Sequence, residues 1–299
     1  MFSLPKNATI IEVGPRDGLQ NEAKLVQTED KLQFISALQK AGIQEMELTS
    51  FVSPKWVPQM ADSQDIVART EKMGRQFVLT PNKRGIHTAL ESGAQSLAVF
   101  VGVSNTFNQK NINKTTQESM AALKPLILDL KKQGIFVRAC ISTAFYCPFE
   151  GAISPEATID LCREFVDWGI DELSVADTIG MASPKESYDL FTKLVNEFPQ
   201  VMMTAHFHDT RRMALANIVS ALQAGVTRFD ASAGGLGGCP FAPGATGNVA
   251  TEDVVNMLHR MNIQTGIDLD LLCAAIEKIE PHVTNPVTTG MYTLYKNQS

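Results

Sequence analysis

Thiolate pairs are what this chain most plainly lacks. Its five cysteines, Cys140, Cys147, Cys162, Cys239 and Cys273, are odd in number, far apart and without a C-x-x-C pair. That pattern excludes a disulfide framework and argues against a thiolate zinc site, and it fits a reducing, cytoplasmic setting. No apolar run approaches the roughly 20 residues that cross a membrane. The opening MFSLPKNATIIEV also lacks the long apolar core of a secretion signal. Positive charge is in short supply: 26 Lys and Arg stand against 32 Asp and Glu, and no basic run is longer than pairs such as Lys131-Lys132 and Arg211-Arg212. Nucleic acid is therefore not an expected partner.

What is present is ordinary in amount and regular in arrangement. With 44% hydrophobic and 19% charged residues the chain can bury a sizeable core, and 299 residues suit one α/β barrel as well as two average domains. Short β-branched or apolar runs recur at 9–13, 43–49, 76–80, 96–103, 136–143, 171–177, 201–208 and 226–232. Helical-period segments lie between them, two ending at Gly42 and Gly134, where a left-handed C-cap is expected, and two opening with Ser-Pro at 154–155 and 183–184. Eight such repeats without a Pro/Gly/Ser-rich linker predict a single α/β domain over 1–299. Its fold class is a (β/α)8 TIM barrel with additional C-terminal helices over 250–299. A doubly wound sheet is the alternative, but VGPRDGLQNE after the first run is not the G-x-G-x-x-G turn which that fold needs.

In such a barrel the chemistry collects where strands end. The unusual polar residues fall there: Arg16 and Asp17 after the first run, Glu45 and Glu47 in the second, Ser104 and Asn105 after the fourth, Asp177 at the sixth, His206, His208 and Asp209 at the seventh. Alternation with period two puts His206 and His208 on one face with Thr204, and Met203, Ala205 and Phe207 on the other. An inward H-x-H beside strand-end acids points to a divalent cation, Mg²⁺, Mn²⁺ or Zn²⁺, with Asp17 the natural carboxylate partner. Asp209 reads as a helix cap, Arg138 as a paired interior charge, and Asn248 equally as a cap or a ligand. The direction of Asp177 is left open because strand ends often bulge. The glycine-rich GGLGGCPFAPGATGN at 234–248 reads as a flap carrying Cys239, or as a plain connection.

Taken together, VGPRDGLQNE, ELTSFVSPKWVPQMAD, AFYCPFEG, DTIG, HFHDT and GGLGGCPFAPGATGNVATED closely resemble the 3-hydroxy-3-methylglutaryl-CoA lyases, from residue 9 to about residue 270. The resemblance implies that Asp17, His206, His208 and Asn248 ligate one Mg²⁺ or Mn²⁺, and that Arg16, Asp17, Glu47, Asp177, His206 and Cys239 take part in catalysis. Arg16, Pro54, Lys55, Ser104, Lys110 and Asn111 are implied to bind an acyl-CoA substrate. The expected reaction is cleavage of 3-hydroxy-3-methylglutaryl-CoA to acetyl-CoA and acetoacetate, by a homodimer or higher homo-oligomer. The alternatives are a lyase for a longer branched thioester and a Claisen-condensing synthase of the isopropylmalate or citramalate type. One departure stands out: many of these lyases place a glycine two residues after HFHDT, where this chain has Arg212.

Overall fold

The computed structural model describes residues 4–238 and 247–298. Eight parallel strands close into a barrel: β1 Thr9–Glu12, β2 Glu45–Ser50, β3 Arg75–Leu79, β4 Ser96–Gly102, β5 Phe136–Ser142, β6 Glu172–Asp177, β7 Met202–Phe207 and β8 Arg228–Ala231. Each lies within two residues of an expected run, and neighbours in sequence are neighbours in the sheet, with β8 pairing back onto β1. A short antiparallel hairpin, Tyr146–Cys147 with Gly151–Ala152, follows β5.

Helices follow every strand, and their ends have identifiable local causes. Ser154 and Ser183 each accept a backbone N–H of the first turn, and Ser183 completes a capping box with Glu186. Gly42 and Gly134 take positive φ, +101° and +74°, just past the helices Thr28–Lys40 and Thr116–Lys132. Beyond β8 come Thr251–Arg260, Leu269–Ile279 and Gly290–Gln298, with Leu269–Ile279 packed on Thr28–Lys40.

The apolar core is divided unequally. Most of it lies between strands and helices, where Met203, Ala205 and Phe207 point outward and Phe207 meets Phe145 and Phe191 at ring-centroid distances of 6.4 and 5.9 Å. Inside the barrel the apolar filling is a small cluster, Ile11, Val13 and Phe77 with Phe136 against it. Leu79, Ala98 and Ala176 also share the inward face, but much of the remaining interior is charged and polar, and each buried group of that kind needs a partner. Among the described residues no helix is long and apolar enough to cross a membrane.

Candidate active site

Arg16 and Asp17 lie in a tight π-helical turn, Gly14–Gly18, in which Val13 O accepts the N–H groups of Arg16, Asp17 and Gly18. Glycine is needed at the end of this turn because a Cβ on Gly18 would come within 2.9 Å of both Leu236 Cβ and Ser232 Oγ. The turn points two side chains at the C-terminal mouth of the barrel. Arg16 spreads its guanidinium between Asp17 Oδ1 and Glu47 Oε2, each at 2.6 Å. Glu47 points in from β2, as alternation predicts. Just beyond it the β2–β3 register slips, between Glu47 and Thr49.

His206 and His208 stand together, ring centroids 5.3 Å apart. One ligand atom each from Asp17, His206 and His208 lies within 4.8 Å of the others. Asn248 joins them because its backbone bridges to that of His208, and its Nδ2 donates to Asp17 Oδ2 at 2.8 Å. It does not cap the following helix, whose N-cap is Ala250. His206 Nδ1 lies 3.1 Å from Asp230 Oδ2.

The donor set fits a small divalent cation. His208 Nδ1 and Asn248 Oδ1 are buried without a hydrogen-bond partner, as are Arg16 Nε and Glu47 Oε1 beside them. Unmet atoms of this kind in one place call for a group outside the chain. Two nitrogens, a carboxylate and an amide oxygen suit such an ion. Charge distribution agrees. Burial alone would raise the Asp17 carboxyl, yet Arg16, His206, His208 and the Asn248 amide hold it down to about 2. Burial, and then the charge of His206, press His208 down to about 4, which keeps its ring neutral and able to ligate. For His206 burial opposes the charged form, but the Asp230 hydrogen bond and charge more than compensate and raise it.

Other residues singled out in the sequence are placed differently. Asp177 pairs in register with Phe207, on the outward face, and its oxygens accept the N–H groups of Met181 and Ala182. Burial nevertheless lifts it to about 6 against those bonds, and it lies within electrostatic reach of His206. Ser104 is buried at 1% exposure, its hydroxyl accepting from Phe107 N and the Cys147 thiol. Pro54 and Lys55, after β2, and Lys110 and Asn111, after β4, are exposed at the same end of the barrel, with Lys110 Nζ 4.4 Å from the Phe149 ring centre. Asp209 accepts Ala214 N–H at the start of Ala214–Gln223, the capping service expected of it. Arg212 takes φ +58°, the region a glycine occupies without strain. Cys239 lies outside the described residues.

Three acids escaped the sequence reading. Asp230 shares the inward face of β8 with Arg228, and alternation in TRFDAS already shows it. Glu12, on the outward face of β1, accepts Gly14 N, Ala233 N and the Thr251 hydroxyl. Glu252 accepts Gly234 N and the Thr289 hydroxyl. Glu12 and Glu252 thereby anchor the turn after β8, and burial raises each to about 7.

Comparison with known proteins adds independent information. The family described as HMGL-like matches residues 7–279. The hydroxymethylglutaryl-CoA lyase of Bacillus subtilis is 46% identical over 98% of this chain and 99% of its own length. The mitochondrial hydroxymethylglutaryl-CoA lyase of Mus musculus is 43% identical over 93% and 88%. Among solved structures, the Bacillus subtilis HMG-CoA lyase superposes with a TM-score of 0.95 at 45% identity, covering 98% of this chain and 99% of that one. An HMG-CoA lyase from Acinetobacter baumannii, solved in complex with coenzyme A and 3-methylmalate, gives 0.91 at 35% identity over 98% and 96%.

Proposed function

We propose a function from one premise: this chain belongs to the HMGL-like family. It is a carbon–carbon lyase that cleaves 3-hydroxy-3-methylglutaryl-CoA to acetyl-CoA and acetoacetate. The observation that carries the reading is the meeting of Arg16, Glu47, Asp17, His206 and His208 at one mouth of the barrel. Asp17, His206, His208 and Asn248 would hold one Mg²⁺ or Mn²⁺. When bound, such an ion supplies positive charge that makes an alkoxide accessible near neutral pH.

The chain's own residues supply the rest. The C3 hydroxyl loses its proton as the C2–C3 bond breaks. The oxygen's electrons form the ketone of acetoacetate, and the bond pair leaves with C2 as a thioester enolate. Glu47, with Oε1 unpartnered and Oε2 held by Arg16, is placed to take that proton directly or through water. Arg16 stays cationic throughout and opposes the enolate charge. A proton returns to C2 from Glu47 or the water it holds, giving acetyl-CoA, while His206 acts beside the reacting atoms as a ligand. Asp177 acts through the 177–182 turn as a positioning residue, and Cys239 keeps the catalytic role that the resemblance gives it. Pro54, Lys55, Lys110 and Asn111 form the rim over which the CoA moiety enters, with Ser104 shaping that rim from beneath. The working form is a homodimer or larger homo-oligomer in the cytoplasm.

The test is acetoacetate release by Mn²⁺-loaded protein from the methylglutaryl thioester and a longer branched homologue in parallel. Faster turnover of the methylglutaryl thioester is expected. CoA release from acetyl-CoA and a 2-oxo acid, with no cleavage of either thioester, would assign a condensing synthase instead.

A further inference from the structure

Charges inside the barrel form one ladder. Arg75 pairs with Glu45 at 3.3 Å, Glu45 with Arg228 at 2.5 Å, Arg228 with Glu172 at 3.2 Å, and Glu172 with Arg138 at 3.5 Å. Arg138 then pairs with Asp230 at 2.5 Å, and Asp230 reaches His206 at 3.1 Å. Three arginines face three carboxylates, so the ladder is neutral before it reaches the imidazole. It runs from the N-terminal mouth of the barrel to the candidate cation site at the other end.

Asp230 is the rung that matters for the site. It is 4% exposed, and its oxygens receive Arg138 twice, the Ser174 hydroxyl at 2.9 Å, and the His206 ring. An ionised carboxylate can only accept, so the proton of this last bond sits on His206 Nδ1. Nε2 is then the nitrogen with a lone pair, on the ring edge facing away from Asp230. His208 has no such brace: its Nδ1 is buried and unpartnered. Two imidazoles that look equivalent in the sequence are therefore held in different ways.

We propose that Asp230, braced by Arg138 and Ser174, is a positioning residue that fixes His206 in the Nδ1–H tautomer and thereby sets the affinity of the site for its divalent cation. The proposal rests on the cation reading given above. Partners of this kind orient a ligating ring and raise its basicity, and their loss typically costs 10–100-fold in metal affinity. The competing role is structural: Asp230 would serve only to neutralise Arg138, and the His206 contact would be incidental.

Two measurements on the full chain separate these roles: Mn²⁺ titration followed by EPR, and ¹⁵N NMR of the histidine rings in metal-free protein across a pH series, in which the tautomer is read from the shifts of each ring once it has deprotonated. The variants are Asp230→Asn, Ser174→Ala and the double Arg138→Met/Asp230→Leu. The double variant removes both partners of a buried pair and leaves Arg75 and Arg228 facing Glu45 and Glu172, so it retains a folded, charge-balanced interior. The expected result is an Nδ1–H ring at His206 in the wild type that is lost in the double variant, with Mn²⁺ affinity falling ~10–100-fold there and in Asp230→Asn, and less in Ser174→Ala. An Nε2–H ring in the wild type, or unchanged Mn²⁺ affinity in folded Asp230→Asn and double variants, would overturn the positioning role while the cation reading survives. A wild type that binds no Mn²⁺ would overturn both.

Discussion

Replacing Arg16 by Lys tests the reaction chemistry apart from cation binding. The guanidinium reaches Asp17 and Glu47 at once, both at 2.6 Å, from a side chain only 12% exposed. A lysine ammonium is a point charge that cannot hold that two-armed geometry, yet it keeps a positive charge beside Asp17 and Glu47. Truncation to Ala would be less informative, because it strands two carboxylates in a site where removing one partner of a buried pair costs about 3–5 kcal/mol. Losing one aligned donor to a developing oxyanion costs about 3 kcal/mol, which corresponds to roughly 100-fold in rate. Steady-state acetoacetate release should therefore show kcat/KM down by about that factor. Bound Mn²⁺ measured on the same preparation should be unchanged, since no ligand is altered. An Arg16→Lys enzyme within about threefold of wild type, less than 1 kcal/mol, would show that the fork contributes nothing specific to the transition state.

Three further outcomes follow from other parts of the molecule. His208→Ala should lose Mn²⁺ more severely than the ~10–100-fold typical of outer partners, and full occupancy at equal free metal would remove His208 from the ligand set. Glu12, raised to about 7 by burial, binds its proton more tightly when folded than when unfolded, so its stabilisation is complete below about pH 4.5 and fades as pH rises through 7. That displacement is worth ~3 kcal/mol, and Glu12→Gln should flatten the loss of urea-unfolding stability between pH 5 and 8 by about that amount; an identical pH slope in both proteins would contradict it. Arg212 holds φ +58° with a side chain 71% exposed, so Arg212→Gly should raise stability by about 1 kcal/mol, and a lower urea midpoint would show that the side chain stabilises the turn.

How much of this was legible in the sequence depends on how local each cause is. Strands, helix caps and the inward direction of His206 and His208 are fixed by period-two alternation and by residues within one turn, and they appear where the sequence places them. Alternation alone leaves the direction of Asp177 open, because strand ends often bulge; β6 keeps its register as far as the Asp177–Phe207 pair, and the slip occurs in β2 instead. For Ser104 the resemblance implies substrate binding, and the structure adds that its buried hydroxyl accepts the N–H of Phe107, three residues on. The harder problem is telling inward charges apart. Glu45, Glu172, Arg228 and Asp230 carry the same period-two signature as Glu47, and a strand read alone, which marks Arg138 as an interior charge with a partner, does not say which carboxylate that partner is. Closure of the barrel decides: it brings β5 and β8 within reach across the interior, so Arg138 and Asp230, 92 residues apart, neutralise each other. Of the buried side-chain atoms left without a hydrogen-bond partner, Arg138 Nε and Arg228 Nε belong to paired rungs of the ladder, whereas Arg16 Nε, Glu47 Oε1, His208 Nδ1 and Asn248 Oδ1 gather at one mouth. The candidate site is thus where unmet hydrogen-bonding atoms from four separate parts of the chain concentrate, and that concentration is a property of the closed ring, legible only once all eight strands are in place.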